Sequence, residues 1–302
     1  MLKYDWVLKK FKKFCDASGG DVQELYDAVR EVMSDGLKTR FAVDVLEFCP
    51  MLVDLEELNK EVIECEDMDL CIRLLKQNWV YGNNVEKVLQ KVALYGGEED
   101  CYEALRCLGL DSRCDTLKNV KTNTLNGQKI MRHISVMDDR VLCSKNAEYN
   151  FYLATMLSNC DLAKSIDKNG HIDMVIQSGD GEYMSSILRF GGWLDIEAHK
   201  INEIVDILCD KKYSSKNKFD ALLALENCKG KQYVNFTKLY QSLIEKGNPF
   251  YIFALNKSSK YSKKKKDAFA YVDAKRKESD EINLVSNKNE EVKDKKDDEL
   301  SR

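Results

Sequence analysis

The sequence predicts an all-α protein: an α-solenoid of roughly eight helix-turn-helix repeats, each about 30–38 residues long, followed by a disordered, charged C-terminal tail. Three observations point there. Only two prolines occur in 302 residues, far below the ordinary usage of about 5%, and proline breaks helix interiors. Apolar residues recur at helical spacing behind polar starters. A turn-plus-aromatic signature returns three times, strongest in VIQSGDGEYMSSILRF (residues 175–190) and echoed in CSKNAEYNFYLATML (143–157) and LIEKGNPFYIFAL (243–255).

Taken in order, the opening MLKYDWVLKKFKKFCD places apolar and lysine residues at the spacing of an amphipathic first helix. It lacks the apolar core and cleavage pattern of a secretory signal. Six units then share one rule, a polar residue followed by apolar or inward-facing ones at +4 and +8. These are Asp21, Leu25, Val29; Asp54, Leu58, Val62; Asn84, Val88, Val92; Asp167, His171, Val175; Glu197, Ile201, Val205; and Asn235, Leu239, Leu243. Such spacing makes one stripe on a helix, and Asp or Asn at its start can cap it. The turns that follow are Ser34-Asp35-Gly36, Glu66-Asp67, Gly96-Gly97, Gly179-Asp180-Gly181, Asp210-Lys211-Lys212 and Gly247-Asn248-Pro249. Gly or Asn there supplies the left-handed residue that ends a helix. Two helices cannot bury their stripes alone, so units must stack.

Between Asn84 and Asp167 the step is 83 residues, room for two or three worn units, one ending in the turn Asn146-Ala147-Glu148-Tyr149. Within it, residues 108–140 contain the polar, turn-rich LKNVKTNTLNGQKI and read as a loop or a break between sub-arrays. The array is thus expected over residues 1–256. Residues 257–277 form a basic segment in which Phe269 and Val272 can cover the open end of the stack. Residues 278–302 are charged and poor in large apolar side chains, and are expected to be disordered.

The net charge of −4 is unevenly spread: −8 over residues 1–120, +1 over 121–256, +7 over 257–277 and −4 over the remainder. An acidic N-terminal array is a poor nucleic-acid surface, because phosphates demand clustered Lys and Arg. No run of about 18 uncharged apolar residues occurs, so neither a transmembrane helix nor a membrane partner is expected. The eleven cysteines include no CxxC pair. Their odd number and scatter suit reduced thiols in a cytoplasmic protein, most of them acting as small buried hydrophobes. No metal site is implied.

His133, His171 and His199 lie far apart, and His171, at an inward position, reads as a packed core residue. No GxSxG, GxxxxGK[ST] or complete GxGxxG context occurs, so no catalytic residue and no cofactor is implied. Tyr149, Tyr183, Tyr213 and Tyr251 follow their turns in four units and read as wedges between neighbours, in preference to an exposed binding ladder. Lys263, Lys264, Lys265 and Lys266, with Lys275, Arg276 and Lys277, form the clearest charge cluster. As a function it would be a nuclear import signal or a contact for phosphate-rich partners; the simpler reading is a solvated hinge.

The segments VIQSGDGEY, SKNAEYNFYLA and SLIEKGNPFYIFAL resemble the tandem helical repeats of the form (A/L)-(V/I)-I-x-(S/T)-G-(N/D)-x-E-Y-I-Y-x-F-A, found in largely uncharacterised bacterial and phage proteins. The resemblance implies an α-solenoid and brings no catalytic residue with it.

The expected function is a non-enzymatic scaffold or adaptor that binds a protein partner along one face. Non-repeated residues are the candidates for contact: Trp79, Arg189, Trp193, Lys211, Lys212, Lys216 and Lys218. The alternative is a nucleic-acid-binding helical-repeat protein using Lys211–Lys218 and the basic tail, against which the acidic first 120 residues stand.

Overall fold

The computed structural model describes residues 3–17, 22–191, 194, 196–225, 228, 234, 236–246 and 250–251. Among these residues every regular element is helical. In chain order they are α1 (Tyr4–Ala17), α2 (Val22–Glu31), α3 (Asp35–Leu46), α4 (Leu55–Glu64), α5 (Met68–Lys76), α6 (Asn84–Tyr95), α7 (Glu98–Arg106), the single-turn α8 (Asp115–Lys118), α9 (Leu125–Ser144), α10 (Ala147–Thr155), α11 (Lys168–Ser178), α12 (Gly181–Phe190), α13 (Ala198–Leu208), α14 (Ser215–Leu225) and α15 (Phe236–Lys246). Short 3-10 turns, Pro50–Leu52 and Asp161–Ser165, join some of them. The chain divides into two units, Met1–Met174 and Val175–Arg302.

In the first unit, helices pack on the next one and the next but one. α1 meets α2 and α3, α3 meets α4 and α5, α4 meets α6, α5 meets α7, α6 meets α9, and α7 meets α9 and α10. In the second unit α12 meets α13 and α14, while α13 and α14 both meet α15. The predicted stripes supply the contacts. Leu58, Val62, Val88, Val92, His171, Val175, Ile201, Val205, Leu239 and Leu243 are all buried, whereas Leu25 and Val29 of α2 are only half-buried. Burying each such aliphatic side chain contributes about 1.5–3 kcal/mol.

The turn signature has a definite hydrogen-bond basis. At the end of α9, Ser144 Oγ donates to Val141 O (2.7 Å) and accepts from Asn146 N (3.2 Å). Lys145 between them is left-handed (φ 57°). Asn146 Oδ1 then caps α10, accepting from Glu148 N (3.0 Å) and Tyr149 N (3.2 Å). The same set recurs after α11: Ser178 Oγ to Val175 O (2.7 Å), Asp180 N to Ser178 Oγ (3.2 Å), Gly179 left-handed at φ 69°, and Asp180 Oδ1 accepting from Glu182 N (2.9 Å) and Tyr183 N (3.1 Å). Ser, a left-handed residue and Asn or Asp are thus one device for ending a helix and starting the next. The third copy, around Asn248, lies outside the described residues.

First helices are capped less uniformly. Asp54 accepts from Glu56 N and Glu57 N, and Asp167 from Gly170 N. Asn83, not Asn84, stands at the start of α6 and makes no side-chain cap, and Glu197 makes none. Gly96 ends α6 with φ −66°, in ordinary backbone space. The C-terminal carbonyls find a different partner, from the neighbouring first helix. Lys91 Nζ donates to Val62 O (3.1 Å), Ile63 O (2.9 Å) and Cys65 O, closing α4. Arg140 Nη1 does the same for Gly96 O beyond α6, and Ser242 Oγ for Cys209 O (2.7 Å) beyond α13. Each donor sits four residues before the end of its helix, so one register position ties neighbouring first helices together and satisfies carbonyls that a helix end otherwise leaves bare.

Residues 108–140 differ from expectation. Only residues 107–124 are irregular, with α8 among them; from Leu125 the chain runs in a helix of 20 residues. Thr124 Oγ1 caps it by accepting from Gly127 N (3.0 Å), and Ile130, Ile134, Met137 and Val141 form its buried stripe. His133, Met137 and Val141 continue the +4, +8 rule, which places one helix pair, α9–α10, in the interval where two or three units were expected.

Buried thiols behave as the composition suggested. Burial pushes Cys71 and Cys107 up to about 12 and Cys209 up to about 11, so these sulfurs stay protonated and unreactive. Cys143 is exposed.

Candidate partner-binding surface

The residues singled out in the sequence differ in exposure. Arg189 is exposed in the last turn of α12, and Lys211, Lys212 and Lys216 are exposed around the turn into α14. Lys212 Nζ sits 4.9 Å from the centroid of the Tyr213 ring. Lys218 does not join them. It is 4% exposed, and its Nζ donates to Ser242 Oγ (2.6 Å), the hydroxyl that closes α13. Two residues along a helix turn the side chain about 200° around the axis, which takes Lys218 inward while Lys216 faces water. Trp193, Lys263, Lys264, Lys265, Lys266, Lys275, Arg276 and Lys277 lie outside the described residues.

Three of the four post-turn tyrosines, Tyr149, Tyr213 and Tyr251, pack as wedges would. Tyr149 stacks on Tyr102 of α7, centroids 4.2 Å apart at 14°. Tyr213 donates through its hydroxyl to Gly179 O (3.0 Å), and its ring lies where a Cβ on Gly181 would approach within 2.7 Å. Tyr251 meets Phe219 at 5.2 Å. His171 is likewise internal: Nδ1 faces Asn150 Oδ1 (2.6 Å) and Nε2 faces Asp138 Oδ1 (2.8 Å), with all three residues buried. Among the described residues, no three His, Cys, Asp or Glu side chains gather as metal ligands. No described helix is long and apolar enough to cross a membrane.

The most distinctive surface lies elsewhere, at the N-terminal end of the first unit. α1 and α2 flank a groove of about 740 Å³, closed at one end by Ser34 and Leu37 of the α2–α3 junction. Val7, Phe11 and Phe14 line it from α1, Leu25 and Val29 from α2, and Val32 and Met33 from the turn that follows α2. The α1 and α2 sets follow helical spacing, so each is a packing stripe. Along α1 and α2 the inner edge of these stripes is used: Phe11, Tyr26 and Phe41 are buried, with Phe11 edge-on to Phe41 (5.2 Å, 71°) and Tyr26 stacked on it (5.9 Å, 21°). The outer edge is open. Trp6 is 50% exposed, Phe14 41% and Val32 84%.

The floor beneath is rigidly tied. Tyr4 donates through its hydroxyl to Asp44, burial and that carboxylate holding the phenol well above its ordinary range. Arg73 Nη2 reaches both Asp44 Oδ1 and Glu47 Oε1 at 2.7 Å, and Arg30 of α2 pairs with Glu61 of α4. The two walls differ in net charge. On α1, Lys9, Lys10, Lys12 and Lys13 are exposed, as are Asp5 and Asp16; Lys10 lines the groove and lies 5.5 Å from the centroid of Trp6. On α2, Glu24, Asp27 and Glu31 are exposed.

The sequence carried the signal for this groove in the 7/11/14 and 25/29/32 spacings. It did not show that none of the described residues covers their outer edge. Comparison with protein-family models, curated proteins and solved structures finds no match for this chain.

Proposed function

We propose that the protein is a helical-repeat solenoid that binds a protein partner without catalysing a reaction, and that the α1–α2 groove is where the partner's apolar face docks. The observation that carries this reading is the open outer edge of the groove, with Trp6, Phe14 and Val32 facing water at the end of a helix stack. A contiguous apolar patch left facing water marks an interaction surface. Trp at its edge is a frequent anchor of such contacts. The next-but-one packing of the helices and the repeated Ser–left-handed–Asn/Asp turn support the solenoid and the likeness to tandem helical repeats. A cytoplasmic location fits the buried, protonated thiols. The nucleic-acid alternative loses one of its four clustered lysines to the core at Lys218.

Recovery of bound material by the full chain from native lysate, with and without nuclease, tests the reading. The wild type is expected to retain a discrete protein regardless of nuclease, and Val32→Glu or Trp6→Glu to lose it. Recovery of nucleic acid that disappears with salt, or equal retention by the variants, would overturn the reading. Both side chains are solvent-facing, so the variants are expected to keep wild-type stability within about 0.5 kcal/mol.

A further inference from the structure

The difference in net charge between the two walls of the groove identifies an occupant. A partner helix laid along it must offer an apolar stripe, an acidic flank toward α1 and a basic flank toward α2. The protein itself offers that combination. α1 presents Trp6 and Phe14 beside Lys10 and Lys13, which fall on its outer flank at three- and four-residue spacing. α2 presents Glu24 and Glu31, seven residues apart and so also on one flank, with Val32 in the turn just beyond them.

Building on the docking role of this groove, we infer that its partner is a second copy of the chain, joined about a two-fold axis so that α1 of each protomer lies over α2 of the other. A two-fold contact uses one patch twice, so the lysine flank of one protomer meets the glutamate flank of its partner at two equivalent places. The protruding Trp6 and Phe14 of each copy then enter the other's groove. Opposite charge at the rim selects this pairing and sets its register more than it adds affinity. The alternative of α1 against α1 would bring Lys10 and Lys13 onto the same residues of the second copy. A membrane surface fits less well: anionic headgroups would attract the α1 lysines but repel Glu24, Asp27 and Glu31 on the other side of the same groove.

Sedimentation equilibrium of the purified full chain over a range of concentrations is the test, with K10E/K13E, E24K/E31K and their equimolar mixture. The wild type is expected to dimerise. Each charge-reversed variant, helical by circular dichroism, is expected to be monomeric at the concentration where the wild type is dimeric. The mixture is expected to regain a dimer, because the reversed flanks complement one another. A wild type that is monomeric throughout, alone or while binding anionic vesicles, would overturn the inference, as would dimers that survive both reversals. Because only purified protein is used, a monomeric wild type refutes self-pairing alone; partner recovery by wild type and Val32→Glu decides the docking role separately.

Discussion

Asp138→Ala is expected to destabilise the first unit by about 3 kcal/mol, because the His171 ring and the Asp167 N–H each lose a hydrogen-bond partner, at about 1–3 kcal/mol apiece. Asn150 donates through Nδ2 to Asn146 O (2.8 Å), which turns its Oδ1 toward His171 Nδ1. The Asp138 carboxylate faces the other ring nitrogen. His171 therefore has an oxygen within hydrogen-bond distance of each ring nitrogen. The second oxygen of Asp138 accepts from Asp167 N (2.9 Å) at the start of α11. Alanine at 138 takes one partner from the buried ring and leaves that N–H without this acceptor. Urea denaturation followed by far-ultraviolet circular dichroism reads the loss. A loss below about 1 kcal/mol would mean that the network contributes no more than an exposed pair. Replacing Asp138, Asn150 and His171 together by leucine is expected to cost less than Asp138→Ala alone, since the imidazole ring is then no longer left buried without its partner and only the Asp167 N–H still loses its acceptor.

Phe41→Ala is expected to cost about 3–5 kcal/mol and to loosen the N-terminal end selectively. Phe41 is completely buried and holds Phe11 of α1 and Tyr26 of α2 against α3. Its removal opens a cavity under both walls of the groove. Amide hydrogen exchange should quicken across α1 and α2 while α5, α6 and α7 keep their protection. Uniform acceleration across the first unit would show instead that the groove and the remaining helices open as one cooperative block.

The helices were legible wherever a stripe followed a polar starter. They stayed legible even where the cap differed from the residue proposed, because burial at +4 and +8 decides a helix more than its first residue does. α9 escaped because it opens with Leu125-Asn126-Gly127-Gln128-Lys129, a turn-like stretch, although Ile130, Ile134, Met137 and Val141 follow at helical spacing. Lys218 was misplaced for a geometrical reason: neighbours in sequence are not neighbours on a helix surface, and its Nζ is spent on Ser242 within the fold. The groove was half legible. The spacings of α1 and α2 announce apolar faces, but whether a face is covered depends on the three-dimensional neighbours of the chain's first helices, which periodicity does not contain.

The most direct measurement is photo-crosslinking in the native cell from a probe placed at Val32, with a matched probe at Lys216. The account predicts that position 32 yields one or a few discrete protein adducts, including a band at twice the mass of the chain, and that position 216 yields none of these. Adducts to nucleic acid at 216, or the same adducts from both positions, would contradict the claim that the α1–α2 groove is the contact surface of this protein.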